Sequence, residues 1–305
     1  MKRDFLRLWD LSSEEIFSLI ERAMELKKGV DANKCPLIGK SIGLLFEKPS
    51  TRTRVSFEVG IYQLGGQPVY MTPTEIQLGR GETISDTAKV LSRYLHGIVI
   101  RTHEHERLQE FAISSDVPVI NGLSNLHHPC QVLADLMTIK EKKGDFKGLK
   151  IAYIGDGNNV ANSLLEAAGR AGFILVIACP EGYEPDAEVL EEARTGRGEI
   201  IILREPAEAA AMADVLYTDV WISMGQEDET EKRRQRFKSY QLNETLLGYA
   251  KKDAIVMHCL PAHRGEEITD AVLDGPYSVV LDQAENRLHA QKALMEWLLG
   301  ESYDK

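Results

Sequence analysis

The sequence predicts an α/β fold made of two parallel-sheet domains of similar size. Three observations carry that expectation. Short apolar runs alternate with helix-period segments nearly from end to end, the rhythm of strand–helix–strand units. That rhythm halts at Lys142-Lys143-Gly144-Asp145, a charged, glycine-bearing stretch, and restarts just beyond it. A chain of 305 residues with 43% apolar content has enough core for two ordinary domains. The expected division is 1–145 and 146–289, with a terminal helix at 290–305 that the sequence pattern leaves able to pack on either domain.

Each element has a local reason. Ser12-Ser13-Glu14-Glu15 reads as a capping box that opens a first helix, with Ile16, Ile20 and Ala23 on its inner face. Residues 42–46 form an apolar run of buried-strand type, stopped by Pro49. Phe57, Ile61 and Leu64 follow at helical spacing, closed by Gly65-Gly66. Strands are expected near 68–71, 97–101 and 117–120, with an Asn121-Gly122 turn after the last, then a long helix over 128–142. Beyond the charged stretch, strands are expected at 151–154, 174–178, 200–203, 215–218, 254–257 and 279–281. Ligands of open α/β sheets bind beyond the carboxyl ends of the strands, so the active site is expected in the cleft between two such domains.

Composition narrows the chemistry. The net charge of −11 argues against nucleic acid and against an anionic membrane as partners. No apolar run reaches membrane-spanning length, and Met1-Lys2-Arg3-Asp4-Phe5 lacks a signal peptide's apolar core, which points to the cytoplasm. Cys35, Cys130, Cys179 and Cys259 show no paired spacing, so neither a disulfide framework nor a zinc site is expected. An acidic chain that binds an anion must gather its arginines locally. Ser50-Thr51-Arg52-Thr53-Arg54 does so where a strand becomes a helix, and helix N-termini attract anions through free N–H groups and the dipole. Two guanidinium groups in one turn repel unless an anion separates them, and Arg matches phosphate oxygens in pairs. No G-K-[ST] follows, so this is not a nucleotide P-loop.

Gly155-Asp156-Gly157-Asn158-Asn159-Val160 imitates a dinucleotide fingerprint. Val160 occupies the third glycine position, and the next strand ends in Ala178-Cys179-Pro180 without an acid for a ribose hydroxyl. The turn instead offers polar amides to a small polar ligand. His127-His128-Pro129-Cys130-Gln131 could suggest a metal, but neighbouring side chains on a first helical turn diverge and no acidic ligand follows. A polar cap with a buried cysteine reads equally well. Cys259, after a strand, suits packing as readily as catalysis.

With Phe46-Glu47-Lys48-Pro49 ahead of it, the arginine motif resembles the carbamoyl-phosphate loop of the aspartate and ornithine carbamoyltransferases. His128-Pro129-Cys130-Gln131, His258-Cys259-Leu260-Pro261, Asp282 to Arg287 and Ser223-Met224-Gly225 match further motifs of that family, so the resemblance spans residues 46 to 287. It implies that Ser50, Thr51, Arg52, Thr53, Gln77, Arg101, His128, Pro129, Cys130, Gln131, Cys259, Leu260 and Arg287 bind carbamoyl phosphate, with residues 1–145 as the domain that does so and the terminal helix packing back onto it. It further implies that Asn159, Asp219, Ser223 and Met224 bind the amino acid on residues 146–289, and that Leu260-Pro261 is cis. Arg101, His128, Cys259 and Asp219 become the catalytic set. The loop around Gln77 and Arg80 lacks the lysine of the aspartate enzymes, while Ser223-Met224-Gly225 and the acids Glu227, Asp228, Glu229 and Glu231 suit a diamino acid. The implied reaction passes the carbamoyl group of carbamoyl phosphate to the side-chain amine of L-ornithine, giving L-citrulline and phosphate, with no metal and no cofactor. A homotrimer, or a multiple of trimers, is implied because the family's loop at Gln77 enters a neighbour's site. A sibling transferase for putrescine or an acylated ornithine, or a non-catalytic phosphometabolite-binding protein, stays open on sequence alone.

Overall fold

The computed structural model describes residues 2–31, 33–72, 81–222 and 230–300. Its elements run α1 (Ser13–Lys27), β1 (Ser41–Phe46), α2 (Thr51–Gln63), β2 (Gln67–Met71), α3 (Ile84–Leu91), β3 (Gly97–Arg101), α4 (His105–Ser114), β4 (Val119–Leu123) and α5 (Pro129–Lys143). They continue as β5 (Lys150–Ile154), α6 (Asn159–Ala171), β6 (Ile174–Ala178), α7 (Ala187–Ala193), β7 (Glu199–Leu203), α8 (Pro206–Ala210), β8 (Val215–Thr218) and α9 (Thr230–Phe237). Last come α10 (Glu244–Leu247), β9 (Ile255–His258), α11 (Asp270–Leu273) and α12 (Val280–Leu299). The chain forms two units, Met1–Met137 with Glu285–Lys305, and Thr138–Ala284. The divisions fall inside α5 and α12, not in the charged 142–145 stretch.

In the first unit a four-stranded parallel sheet has the order β2-β1-β3-β4. The inner strands β1 and β3 are buried almost throughout, as parallel strands covered on both faces must be, which explains their unbroken apolar runs. Leu45, Ile98, Ile100, Leu108, Phe111 and Val119 pack together in its core. The chain steps from β1 out to β2 and then back to β3 on the other side. That reversal makes the carboxyl ends of β1 and β3 a switch point, the usual seat of a ligand.

The second unit repeats the logic with a parallel sheet in the order β7-β6-β5-β8-β9. Its switch point lies between β5 and β8. Ala152, Ile154, Val176, Leu216 and Val256 supply sheet residues of its core, joined by Trp221 and Phe237.

The first helix begins as its sequence requires. Ser12 Oγ accepts from the Glu15 N–H at 3.2 Å, and Glu15 Oε2 accepts from the Ser12 N–H at 2.9 Å. Two expectations need correction. Residues 279–281 are not a strand: Ser278 makes only an isolated bridge to Val256, and α12 starts at Val280 with Leu281 exposed. A three-residue apolar run cannot distinguish a short strand from a first helical turn. The Asn121-Gly122 pair is not a turn after β4 but part of it. Ile100 pairs with Asn121 and Arg101 with Leu123, so Gly122 is the extra residue of a bulge. A Cβ on Gly122 would lie 3.2 Å from the Ile100 carbonyl oxygen, a tight approach that a larger residue would relieve only by pushing the β3 backbone a few tenths of an ångström. Among the described residues no helix is long and apolar enough to cross a membrane.

Candidate active site

The strand ends of the first unit bring together side chains with the chemistry to hold an anion. Beyond β1, Ser50 caps α2 by accepting from the Thr53 N–H at 3.4 Å, which leaves the helix's first N–H groups at the carboxyl edge of the sheet. Arg101 ends β3 and is buried. After β4, His128 leads into α5, whose first residue is Pro129, a position where its missing N–H costs nothing. Arg287, from α12, ties these pieces together. It donates from Nη1 to Gln131 Oε1 at 2.5 Å and from Nη2 to Thr53 Oγ1 at 3.1 Å. Gln131 is fixed in turn by its Nε2 bond to Asp135 at 2.8 Å. Thr53, Arg101, His128, Gln131 and Arg287 are all buried.

Burial holds the His128 imidazole well below its usual pKa, and the charges of Arg287 and Arg101 push it the same way. The ring is therefore neutral at physiological pH, and a neutral imidazole can donate one hydrogen bond and accept another. Cys130 is different in kind. Its Sγ donates to the Asn121 carbonyl at 3.3 Å, and burial pushes the thiol up to about 12. Arg54 departs from the expected pair of anion-facing guanidinium groups. It donates to Glu58 at 2.9 Å and lies 3.7 Å over the Tyr70 ring, while Arg52 is exposed. The repulsion between the two arginines is thus relieved inside the protein, by a carboxylate one turn on and an aromatic face from β2.

In the second unit, β5, β8 and β9 end on one cluster. Asp219, just past β8, is buried, and both of its oxygens are engaged. Oδ1 accepts from Cys259 Sγ at 2.8 Å and Oδ2 from Asn158 Nδ2 at 2.8 Å. Cys259 follows β9 directly. Leu260 has φ +56°, uncommon for a bulky side chain, and the Leu260–Pro261 bond is cis. His258 supports that turn: its Nδ1 accepts from the Leu260 N–H at 2.9 Å and its Nε2 lies 3.0 Å from Glu267 Oε1. With the Leu260 N–H on Nδ1, the ring proton belongs on Nε2, facing the carboxylate. Asp219, His258 and Cys259 bring one donor atom each within 4.8 Å of one another. A metal there would have to displace a bond from His258, because both imidazole nitrogens are in use.

The dinucleotide-like turn also finds its explanation. A Cβ on Gly157 would lie 2.2 Å from Pro185 N and 2.3 Å from Glu184 C, so this glycine exists for close backbone packing and not for a pyrophosphate. Gln77, Arg80, Ser223 and Met224 lie outside the described residues.

Residues 3–141 match the family model described as the aspartate/ornithine carbamoyltransferase carbamoyl-P binding domain, and residues 147–298 match its Asp/Orn binding domain. The chain belongs to the aspartate/ornithine carbamoyltransferase family. It is 56% identical to the ornithine carbamoyltransferase of Syntrophus aciditrophicus, over 98% of this chain and 100% of that one. The ornithine carbamoyltransferase of Methanosarcina mazei is 57% identical, over 97% and 98% of the two chains. Among solved structures, the ornithine carbamoyltransferase from Pyrococcus furiosus superposes with a TM-score of 0.94 at 52% identity, covering 98% of this chain and 97% of that one.

The structure sets the sequence-predicted residues Ser50, Arg101, His128, Asp219 and Cys259 at strand ends and helix starts, and the sequence points to them there. Sequence reasoning missed those behind them. Glu267, fully buried against His258, follows Arg264-Gly265-Glu266 in a stretch with no motif to single it out. Gln283, whose Oε1 accepts from the His258 N–H at 2.9 Å and whose Nε2 donates to Tyr217 at 3.1 Å, lay in the stretch assigned to carbamoyl-phosphate contacts. Asn158 was visible only as an amide beside Asn159.

Proposed function

We propose that the chain transfers the carbamoyl group of carbamoyl phosphate to the side-chain amine of L-ornithine, forming L-citrulline and phosphate. The observation that carries this reading is the buried Asp219 carboxylate, held by Cys259 and Asn158 at the carboxyl end of β8. An acid there attracts a cationic diamino acid and repels the dianion aspartate. Relatives more than half identical in sequence, named as ornithine carbamoyltransferases, support the same substrate.

In this reading Ser50, Thr51, Arg52 and Thr53 hold the phosphate through hydroxyls, N–H groups and one guanidinium, with Arg101 and Arg287 adding charge. Thr53, Arg101 and neutral His128 donate to the carbamoyl oxygen as it becomes an oxyanion, a contribution that is commonly the largest in acyl transfer. Gln131 takes the carbamoyl amide, as do the Cys259 and Leu260 carbonyls. Pro129 and Cys130 complete the wall. Asp219 and Cys259 orient the attacking amine, and Asn159 binds the amino-acid end. Gln77, Ser223 and Met224 join the two binding sets on family resemblance.

Ornithine's amine has a lysine-like pKa of about 10.4, so only its neutral fraction attacks. The nitrogen–carbon bond forms, the carbon–oxygen bond to phosphate breaks, and the proton lost by the amine leaves on the phosphate. No cofactor enters this balance. The cytoplasm suits a chain with four free thiols, one of them exposed. A homotrimer, or a multiple of it, enters this reading on family resemblance; Val55, Val59 and Tyr62, three exposed apolar residues along one face of α2, support association without setting its number.

Purified protein with carbamoyl phosphate should yield citrulline and phosphate in equal amounts from ornithine. Aspartate, putrescine and N-acetylornithine should be far slower at matched concentration. A higher kcat/KM for any of these would replace ornithine in the reading. Carbamoyl-phosphate binding with no amine-dependent phosphate release would leave only a binding protein.

A further inference from the structure

Asn158 is bonded at both ends of its amide. Its Oδ1 faces three donors: the Val160 N–H at 2.9 Å, the Ala161 N–H at 3.2 Å and the Tyr153 hydroxyl at 3.2 Å. Two of these are orphan donors of the α6 N-terminus, so Asn158 is the helix cap. Turning the amide over would set its NH2 against all three donors. The orientation is therefore chemically forced, and Nδ2 is committed to Asp219 Oδ2 at 2.8 Å.

The other oxygen of Asp219, Oδ1, accepts from Cys259 Sγ at 2.8 Å. One hydrogen bond leaves a carboxylate free to swing about its own axis. A second, from a group that cannot itself turn, fixes its plane. Tyr153 lies fully buried in β5 and makes a tilted ring pair with Tyr217 of β8, so the far end of the chain of bonds is anchored in the sheet. We propose that Asn158 is a positioning residue for the amine substrate: it passes the fixed geometry of the α6 N-terminus and of Tyr153 to the Asp219 carboxylate, and so sets how tightly and in what alignment ornithine is held. This inference rests on the ornithine reading, and Asn158 acts through Asp219 without touching ornithine.

Two variants separate positioning from capping. Asp and Ser cap helices about as well as Asn. Asn158→Asp keeps the cap but turns a carboxylate oxygen on Asp219. Asn158→Ser keeps the cap and withdraws the donor. Asn158→Ser should retain the melting temperature of the unaltered protein. Asn158→Asp should melt lower, because it sets a second carboxylate against the buried Asp219. Neither should lose carbamoyl-phosphate affinity. Both should lose ~10- to 100-fold in kcat/KM for ornithine, the scale of a lost hydrogen bond to a charged group, with most of the loss in KM. A second readout needs no turnover. Cys259 should be alkylated several-fold faster by iodoacetamide in Asn158→Ser, because a swinging Asp219 no longer holds the S–H.

Unchanged ornithine KM in both variants would overturn the inference, as would a matching loss of carbamoyl-phosphate affinity in either or of melting temperature in Asn158→Ser, which would make Asn158 a scaffold residue. An unaltered protein that makes no citrulline would sink the ornithine reading instead. The alkylation rate of Cys259 would then still decide whether Asn158 holds Asp219, and an unchanged rate would reject it.

Discussion

At Cys130 burial pushes the thiol up to about 12, and at Cys179 burial pushes it up to about 11. Cys35 is exposed and Cys259 half-buried. The thiolate is the reactive form and it must be reachable. Iodoacetamide at mildly alkaline pH should therefore modify Cys35 and Cys259 in the folded protein and spare the other two, a pattern that peptide mass mapping reads directly. Arg287 invites a second test. Arg287→Met removes the clamp on Gln131 and Thr53, and carbamoyl-phosphate binding should weaken by about 1.5–3 kcal/mol, measured by calorimetry. Retained affinity would remove Arg287 from the anion site. Ser50 was legible from the residues themselves, because it starts a helix after a strand, whereas Arg101 at its strand end and Arg287 were singled out only through the family resemblance. The path of Arg54 was not legible, because it depends on Tyr70 from the neighbouring strand.

Among the elements, α1 shows what a cap contributes by itself. Ser12→Ala removes the arm in which Ser12 Oγ accepts from the Glu15 N–H, leaves the one from its own backbone N–H to Glu15, and should lower unfolding stability by about 1 kcal/mol, read as a shift in urea midpoint, with transferase activity retained. An unchanged midpoint would mean that packing of Ile16, Ile20 and Ala23 fixes the helix start without help. The parallel strands were legible because burial on both faces forces unbroken apolar runs such as 42–46 and 151–154. Residues 279–281 satisfied the same criterion, yet Val279 has no regular structure and 280–281 open α12, since three residues carry no period. The bulge at Gly122 was read as a turn for a related reason: an Asn-Gly pair marks tight backbone, and only the register with β3 says which kind.

For the whole molecule, acid is the condition to test. Burial drives the His127 pKa down to about 2, with His105 and Arg7 pushing the same way. His105 is lowered chiefly by burial, and His128 by burial with Arg287 and Arg101. Between about 2 and the unfolded value of 6.5 the unfolded chain binds a proton at His127 that the folded chain refuses. Stability from this residue is therefore complete above 6.5 and falls as pH drops, by about 2 kcal/mol at pH 5. His127→Gln should flatten the fall in melting temperature between pH 7 and pH 5, and an unchanged slope would show that other groups carry it. One packing residue was readable only as a mimic of something else. Gly157 looked like part of a cofactor fingerprint, and only the backbone at Glu184 and Pro185 explains it. That approach has an evolutionary consequence. Where a glycine faces a side chain, drift can trim the neighbour and restore the room. Here the opposing atoms are main chain, so no second substitution nearby compensates. The lineage can vary the amides that follow Gly157 but is bound to keep the glycine itself, unless the stretch at 184–185 is rerouted by insertion or deletion.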